Sequence, residues 1–274
     1  MLVSMKSILQ AAREGGYGVI APNICNEDTA RAAIAAAEAN RAPLILDVGF
    51  SANPNIVQFG RMLEMFCQAA SVPLAVNLDH GDSIKELAYA IRAGFTSVMA
   101  DYSTLPLEEN ICAVQKWVEF AHPVGVDVEA ELGHVGQGVT YDVDRNAGLT
   151  NPAEARTYVE RTGVDFLAVA VGTAHGAYRG TPKIDFDRLH KLFDAVSVPL
   201  VMHGGSGTGD ENLYKATHEG ISKVNVGSDL FKAAADAFHE EECASAGPGY
   251  RVMKLGYQDR LTHYMGLTGQ IGRA

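Results

Sequence analysis

Eight short apolar runs, separated by longer segments with helical periodicity, are the feature that most constrains how this sequence can fold. The runs predict strands at residues 18–21, 43–48, 74–78, 97–100, 124–132, 166–171, 200–202 and 223–226. The segments between them predict helices at residues 29–40, 55–70, 83–93, 107–121, 152–162, 185–195 and 210–219. Strands that are apolar along their whole length are buried on both faces, as in a parallel sheet covered by helices. The alternation therefore predicts an α/β protein, most simply a (β/α)8 TIM barrel.

An open, doubly wound sheet is the alternative architecture for the same alternation. Its usual mark is a G-x-G-x-x-G turn after the first strand, whereas the sequence there reads Ala21-Pro22-Asn23. Several predicted helices have clear start signals, among them Ser83 with Glu86 three residues later, and Asn151 before a proline. The barrel is therefore the favoured fold.

Length and segment composition indicate one domain that spans residues 1–274. The sequence contains no linker or low-complexity tract, and barrels of this length are routinely one domain. Residues 230–274 follow the last predicted strand and form a C-terminal helical extension. Within it, residues 243–249 are small and rich in helix breakers, and residues 266–274 have a poorly helical pattern. We expect this extension to pack on the barrel or on a neighbouring subunit.

Charge and cysteine content exclude several classes of partner and location. A net charge of −11 argues against nucleic acid or an anionic membrane as partner. An anionic small substrate stays possible, because backbone amides and a metal ion can hold phosphate in an acidic protein. The four cysteines are widely spaced without a CxxC motif, which indicates a reducing compartment. With no signal-peptide pattern and no membrane-spanning apolar run, we expect a cytoplasmic protein.

Three histidines follow apolar runs and are each followed by glycine: His80 in VNLDHG, His175 in VGTAHG and His203 in VMHGG. Residues at the carboxyl ends of barrel strands converge on one face, so these side chains can meet. Three neutral imidazoles bind Zn²⁺ and leave one coordination position open, as a catalytic zinc requires. Asp79 directly precedes His80 and supplies an acid beside that metal. The alternative is three unrelated loop histidines.

Two glycine-rich loops follow the last two predicted strands and predict a phosphate site. Residues 203–207 read HGGSG, and residues 225–228 read NVGS. Glycines let backbone N–H groups approach an anion, Ser206 and Ser228 add hydroxyl donors, and the following helices present their N-termini. These loops are the usual phosphate position of a TIM barrel. The alternative is that the glycines serve only tight turns.

Two acids in the fifth predicted strand, Glu129 and Glu131, share one face because they are two residues apart. They could orient a histidine ligand, offer an alternative metal position, or serve a structural hydrogen-bond network. Residues 133–138 are glycine-spaced, which suits a mobile flap, and Tyr141, Asp142 and Asp144 follow it. Those three could reach a substrate, but solvated loop positions are the favoured interpretation.

Five motifs resemble those of the class II, zinc-dependent ketose-bisphosphate aldolases, the fructose- and tagatose-bisphosphate aldolase group. They are LDHGDS at 78–83, VEAELG at 128–133, GTAHGAYRGTPKIDFDRL at 172–189, HGGSG at 203–207 and KVNVGSDL at 223–230. They occur in the family's order, and the likeness runs from Pro22-Asn23 to about Gly256.

The resemblance implies a barrel that forms a homodimer or homotetramer and carries catalytic zinc on His80, His175 and His203. It implies Asp79 as the acid/base at the aldehyde oxygen, and Glu131 as a glutamate that can meet a displaced metal ion. The implied phosphate and substrate residues are Asn23, Gly176, Gly204, Ser206, Asn225, Gly227 and Ser228. A monovalent cation, Na⁺ or K⁺, is implied near the phosphate.

The sequence also departs from the family at several positions. Gly81 stands where many members have a second histidine, and residues 136–140 lack the paired glutamates of the fructose-type flap. Proton transfer at the nucleophilic carbon must then fall to another group, or the flap is built differently. Asp47 stands where the family has neutral donors at the far end of the substrate. Lys254 is the basic residue that aligns with the family's grip on the distal phosphate, which often comes from a neighbouring subunit.

The resulting hypothesis is a zinc-dependent aldolase that cleaves a phosphorylated ketose to dihydroxyacetone phosphate and an aldehyde. The alternatives are an aldolase for a ketose 1-phosphate modified at C6, a metal-dependent sugar-phosphate isomerase, and a non-catalytic sugar-phosphate-binding barrel. If Asp47 faces the distal group, the phosphate on the departing aldehyde is dispensable. If Asp47 instead points into the barrel wall or forms a local salt bridge, the site is an ordinary bisphosphate site.

Overall fold

Eight parallel strands form the sheet of the computed structural model, which describes residues 1–53, 55–136, 148–176, 178, 180–241, 243 and 245–274. The strands are β1 (Val19–Pro22), β2 (Leu44–Gly49), β3 (Leu74–Gly81), β4 (Ser97–Ala100), β5 (Asp127–Leu132), β6 (Phe166–Val169), β7 (Leu200–Met202) and β8 (Ile221–Val226). They pair in chain order from β2 to β8, and β1 pairs with β8. A bridge between Asn23 and Asp47 joins β1 to β2. The sheet is thus a (β/α)8 TIM barrel, as predicted.

Helices cover the outside of the sheet, except that the first helix precedes β1 and packs against the amino-terminal end of the barrel. They are α1 (Met5–Gly15), α2 (Glu27–Ala39), α3 (Ile56–Ala69), α4 (Ile84–Ala93), α5 (Leu107–Ala121), α6 (Pro152–Thr162), α7 (Phe186–Ala195), α8 (Asp210–His218), α9 (Ser228–Glu240) and α10 (Ala246–Thr268). The two predicted start signals are present: Ser83 accepts a hydrogen bond from Glu86 N, and Asn151 accepts one from Ala153 N. None of these helices is both long and apolar enough to cross a membrane.

Several predicted boundaries differ from the structure, and two of the differences have a clear physical cause. Strand β5 begins at Asp127 rather than at Val124, because residues 122–124 form a 3-10 turn that ends at Gly125, whose φ is +75°. The C-terminal helix α10 continues through Thr268, although residues 266–274 looked poorly helical. Met265 and Thr268 are fully buried, so tertiary packing extends the helix until Gly269 ends it with φ +76°.

The first helix, α1, was not predicted and closes the amino-terminal end of the barrel. Its buried positions have the spacing of one helical face: Met5, Ile8, Leu9 and Ala12. They pack against side chains that point into the barrel from the strands, namely Val19, Ala21, Ile45, Ala75, Met99, Phe166, Ala168 and Val201. The apolar layer therefore fills the bottom of the barrel, and polar groups occupy the interior above it.

The packing of α1 makes Leu9 a test of this closure. Leu9 is fully buried, so Leu9→Ala leaves a cavity under the barrel and lowers the free energy of unfolding by about 2–5 kcal/mol. Urea unfolding curves measure the loss. The adjacent Gln10 is exposed, and Gln10→Ala is the matched control, with an expected change within about 0.5 kcal/mol. Equal effects of the two substitutions would contradict a sealing role for α1.

Candidate active site

A cleft at the carboxyl-terminal ends of the strands collects the predicted site residues. Its lining is Asn23, Asp79, His80, His175, Gly176, His203, Gly204, Ser206, Asn225, Gly227 and Ser228. These residues lie at the ends of β1, β3, β7 and β8 and in the loop after β6. Every one of them had been placed in the metal, acid or phosphate site from the sequence. The barrel therefore brings into one cleft residues that are up to about two hundred positions apart.

Three imidazoles, those of His80, His175 and His203, form the centre of the cleft. The ring centroids lie 4.6 Å apart for His80 and His203, 4.9 Å for His80 and His175, and 5.7 Å for His175 and His203. One nitrogen from each ring lies within 4.8 Å of the other two. These separations allow the three nitrogens to coordinate one metal ion.

His203 has its ring orientation set from inside the barrel. Its Nε2 donates to Glu129 Oε1 at 3.0 Å, since an ionised carboxylate only accepts. Its Nδ1 is buried and has no hydrogen-bond partner among the described residues. A buried nitrogen with a free lone pair is costly unless a ligand meets it. The orphaned Nδ1 and the two neighbouring imidazoles thus fit a divalent metal ion such as zinc.

The protonation of the three rings differs because their surroundings differ. Burial and the neighbouring histidines lower the pKa of His175 to about 3. Burial also holds the pKa of His203 below its ordinary value, despite Glu129. For His80, burial lowers the pKa, but Asp79 and nearby carboxylates outweigh it and raise the pKa to about 10. The site without metal therefore holds two neutral imidazoles and one cation.

His80 is held in an unusual backbone conformation beside two carboxylates. Its φ is +50°, a region that residues other than glycine rarely adopt, so the surrounding structure must impose it. Its Nδ1 bonds to Asp101 Oδ2 at 2.7 Å, and its Nε2 lies 3.8 Å from Asp79 Oδ1. The Asp101 contact orients the ring and leaves Nε2 directed toward the cleft.

Asp79 is gripped by two amide side chains. Asn23 Nδ2 donates to its Oδ2 at 2.9 Å, and Asn225 Nδ2 donates to its Oδ1 at 3.0 Å. Burial raises the pKa of Asp79, but His80 and the other positive groups outweigh it, and the resulting pKa lies below the ordinary value. Asp79 is therefore an ionised, oriented carboxylate at the edge of the histidine cluster. That is the state in which it can accept a proton.

A second group that could hold a metal comprises His80, Asp101 and Glu131. Glu131 is buried and accepts from Val135 N at 2.8 Å through Oε1, and its Oε2 has no hydrogen-bond partner within the part of the chain that the structure describes. Burial and the nearby Asp101 raise the pKa of Glu131 to about 8. Glu131 thus lies in a group that could hold a metal ion, and its role as an alternative metal position stays a prediction. Asp101 was missed, although an acid directly after the fourth apolar run was a usable signal.

A buried ionic cluster lies in the barrel interior beneath His203. Lys223 is fully buried, and its Nζ lies 2.7 Å from Glu129 Oε2 and 3.4 Å from Asp47 Oδ2. Asn77 Nδ2 donates to Asp47 Oδ1 at 2.7 Å. Asp47 therefore points into the barrel and forms a local salt bridge. Asp47 does not face the distal end of a substrate. It therefore gives no reason to expect that the phosphate on the departing aldehyde is dispensable.

The two glycine-rich loops are joined by Ser206. Its Oγ accepts hydrogen bonds from Gly227 N and Asp229 N, both at 3.2 Å. Its hydroxyl proton stays available for a ligand. Gly204 has φ +71°, and a Cβ there would lie 2.2 Å from Ala174 O, so only glycine allows this approach. Together with the N-terminus of α9 at Ser228, the loops present the donors that an anion requires.

Lys254, a predicted substrate contact, is not among the described residues that line the cleft. Lys254 is on α10, where it borders one cavity that also contacts Arg31 and another that contacts Cys25. It does not line the cleft of its own chain, so its predicted role requires a neighbouring subunit. Residues 137 and 138 of the predicted flap lie outside the described residues, as do Tyr141, Asp142 and Asp144.

Comparison with known proteins places this barrel in a class of carbon–carbon lyases. Residues 3–273 match the family described as "Fructose-bisphosphate aldolase class-II". The chain belongs to the class II fructose-bisphosphate aldolase family, as the sequence motifs had indicated.

Solved structures agree with this assignment. The YdjI aldolase from Escherichia coli K12 is 34% identical, has a TM-score of 0.91, and the match covers 100% of both chains. A candidate fructose-1,6-bisphosphate aldolase from Coccidioides immitis is 28% identical with a TM-score of 0.89, covering 97% of this chain and 96% of that one. The fructose-bisphosphate aldolase from Campylobacter jejuni is 20% identical with a TM-score of 0.84, covering 100% and 97%. At that identity the likeness shows the fold alone.

The contact between Glu129 and His203 generates a prediction on metal affinity. Glu129→Gln removes the charge that holds the Nε2 proton in place, so the dissociation constant for zinc rises about 10- to 100-fold. Competition with a chromophoric chelator measures it without any substrate. Glu160→Gln, on the exposed surface of α6, is the control and leaves the affinity unchanged. An unchanged dissociation constant in Glu129→Gln would mean that Glu129 serves only Lys223.

Proposed function

We propose that this protein is a zinc-dependent aldolase that reversibly cleaves a phosphorylated ketose to dihydroxyacetone phosphate and an aldehyde. The proposal rests on three features that lie in one cleft. They are the three imidazoles, the Asp79 carboxylate held by two asparagine amides, and the two glycine-rich loops after β7 and β8, called the phosphate-type loops below. The family membership and the aldolase described for Escherichia coli support the reaction class.

The metal would be held by His80, His175 and His203, whose nitrogens fit it in number and spacing. When bound, a divalent ion supplies Lewis acidity toward the ketose carbonyl, where negative charge develops during carbon–carbon cleavage. Glu129 and Asp101 orient His203 and His80 from behind. Buried hydrogen bonds of this kind keep the ring nitrogens preorganised toward the cleft.

Asp79 would take the proton from the C4 hydroxyl in cleavage and return it to the aldehyde oxygen in condensation. Its position beside His80 brings the carboxylate next to the polarised end of the substrate. The amides of Asn23 and Asn225 stabilise the ionised form and fix its direction. The phosphate loops would meanwhile hold the three-carbon half in place while the aldehyde leaves.

A second candidate, an aldolase for a ketose 1-phosphate with another group at C6, is favoured by the composition of the cleft. Among the described residues that line it there is no lysine or arginine, and the phosphate-type donors cluster at the β7 and β8 loops. The lining therefore supports the proposal of one phosphate site, and a second would need a group from elsewhere. Values of kcat/KM for fructose and tagatose 1,6-bisphosphates against the matching 1-phosphates decide between the two candidates.

Removal of the metal tests the proposed chemistry directly. Incubation with excess chelator abolishes cleavage of the preferred ketose phosphate, and added zinc or cobalt restores it, because the imidazoles alone cannot stabilise the developing charge. Coupled release of dihydroxyacetone phosphate measures the rate. Metal analysis of the purified protein accompanies the assay. Full turnover in chelator, with no metal detected, would overturn the proposal.

Replacement of Asp79 tests its role as the acid/base. Asp79→Ala keeps the bound metal and lowers kcat by at least about a hundredfold, the usual scale for loss of a general acid/base. Asp82→Ala is the control, because Asp82 is exposed and three positions away. Loss of metal in Asp79→Ala, instead of loss of rate alone, would show that Asp79 supports the metal rather than the proton transfer.

A further inference from the structure

Two tyrosines of the C-terminal helix α10 form hydrogen bonds with residues that surround the active site. Tyr257 and Tyr264 are seven residues apart, so they lie two turns apart on one face of the helix. Both are 1% exposed, and Leu261 between them is fully buried. The hydroxyl of Tyr257 bonds to Asn23, which lines the cleft, and that of Tyr264 bonds to Asp229, the neighbour of the cleft residue Ser228. Helix α10 is therefore more than a cover for the barrel.

Tyr264 acts on the phosphate-type loops through Asp229. The hydroxyl of Tyr264 donates to Asp229 Oδ2, and Arg260 lies 3.6 Å from the same oxygen. That oxygen also accepts a hydrogen bond from Gly207 N at 2.9 Å. Since Asp229 N donates in turn to Ser206 Oγ, Asp229 joins the β7 loop to the start of α9 twice. Tyr264 fixes the carboxylate that ties the two loops together.

Tyr257 acts on Asp79 through Asn23. Its hydroxyl donates to the backbone oxygen of Asn23 at 2.8 Å. Asn23 N donates to Val226 O at 3.0 Å, so its backbone is held on both sides. The Asn23 side chain then bonds to Asp79. A Cβ on Gly227 would lie 2.3 Å from Asn23 Oδ1, which shows how closely this side chain is enclosed.

The position of α10 is itself closely defined by its contact with α9. A Cβ on Gly256 would lie 2.6 Å from Ala233 O, and one on Gly249 would lie 2.3 Å from the Phe238 ring. The two helices thus approach closely at two points, with Gly256 against the backbone of α9 and Gly249 against a ring of α9. A small shift of α10 would be transmitted to both hydroxyl contacts, because close-packed helices have no free volume to absorb it.

We propose that Tyr257 and Tyr264 are separate positioning residues, Tyr264 for the phosphate-binding loops and Tyr257 for the proton-transferring Asp79. The proposal rests on the proposed function. It assigns different kinetic consequences to two buried tyrosines on one helical face. If both tyrosines had a purely structural role, both substitutions would lower the stability of the fold and leave KM and kcat of the folded enzyme unchanged.

Tyrosine-to-phenylalanine variants of the full-length, zinc-loaded protein separate the two effects, because each removes one hydroxyl and keeps the ring. Tyr264→Phe raises KM for the ketose phosphate about three- to tenfold, the scale of one hydrogen bond, and raises the Ki of inorganic phosphate equally. Its kcat stays near the wild-type value. Tyr257→Phe lowers kcat about three- to tenfold and leaves KM and the Ki of inorganic phosphate unchanged.

Controls keep the test decisive. Tyr250→Phe lies on the same helix, is 63% exposed, and changes none of these constants. Asp229→Asn reproduces the effect of Tyr264→Phe, and the double variant adds little, since both act on one contact. The proposal is overturned if the two tyrosine variants change KM and kcat alike, or if neither changes them.

A readout without turnover separates this proposal from the proposed function. If the wild-type protein cleaves no ketose phosphate, the proposed function fails, but calorimetry with inorganic phosphate and amide hydrogen exchange still report on positioning. Tyr264→Phe weakens phosphate binding and speeds exchange at Gly207, whereas Tyr257→Phe does neither. Unchanged binding and exchange in Tyr264→Phe would overturn the positioning proposal on its own.

Discussion

The fully buried ammonium of Lys223 and its two carboxylate neighbours form the interaction on which the active-site geometry depends. Lys223 lies between Glu129 and Asp47 in the interior of the barrel. Burying these ionisable groups is costly, and removal of the Lys223 ammonium would leave its carboxylate partners without a cation, at a cost of about 3–5 kcal/mol. Because Glu129 also accepts from His203, this ionic cluster sets which nitrogen of that histidine faces the cleft. The buried polar groups of the barrel interior thus orient His203 in the three-histidine cluster above them.

Other groups around the cleft are also oriented by hydrogen bonds from residues behind them. Asp101 holds His80, two asparagine amides hold Asp79, and Asp229 holds the phosphate-type loops. In each case a group with little exposure fixes the direction of a group that can meet a ligand. Such preorganisation reduces the reorganisation that a reaction would otherwise require. Asp101 directly follows strand β4 and Asp229 lies in the first turn of α9, so the rigidity of the barrel is passed to its loops.

Much of the site was predictable because a parallel barrel has a fixed polarity. Residues that end its strands must meet at one face, so His80, His175 and His203 could be grouped from their positions after apolar runs. Glycines and serines after the last two strands identified the loop site for the same reason. Asp47 was different. Its place in the second run was evident, but whether its side chain faced substrate or Lys223 depends on the tilt and register of the strands, which sequence periodicity does not specify.

The sequence by itself determined the alternation of strands and helices, the family, and the set of residues that line the cleft, since these follow from local pattern and chain order. The tertiary structure alone decided which partners those residues have. Lys223, Asp101, Tyr257 and Tyr264 carried little local signal, because a lysine in an apolar strand or a tyrosine on a helix acquires its role only from distant neighbours. Helix α10 likewise extends to Thr268 because burial against the barrel outweighs its weak local helical preference.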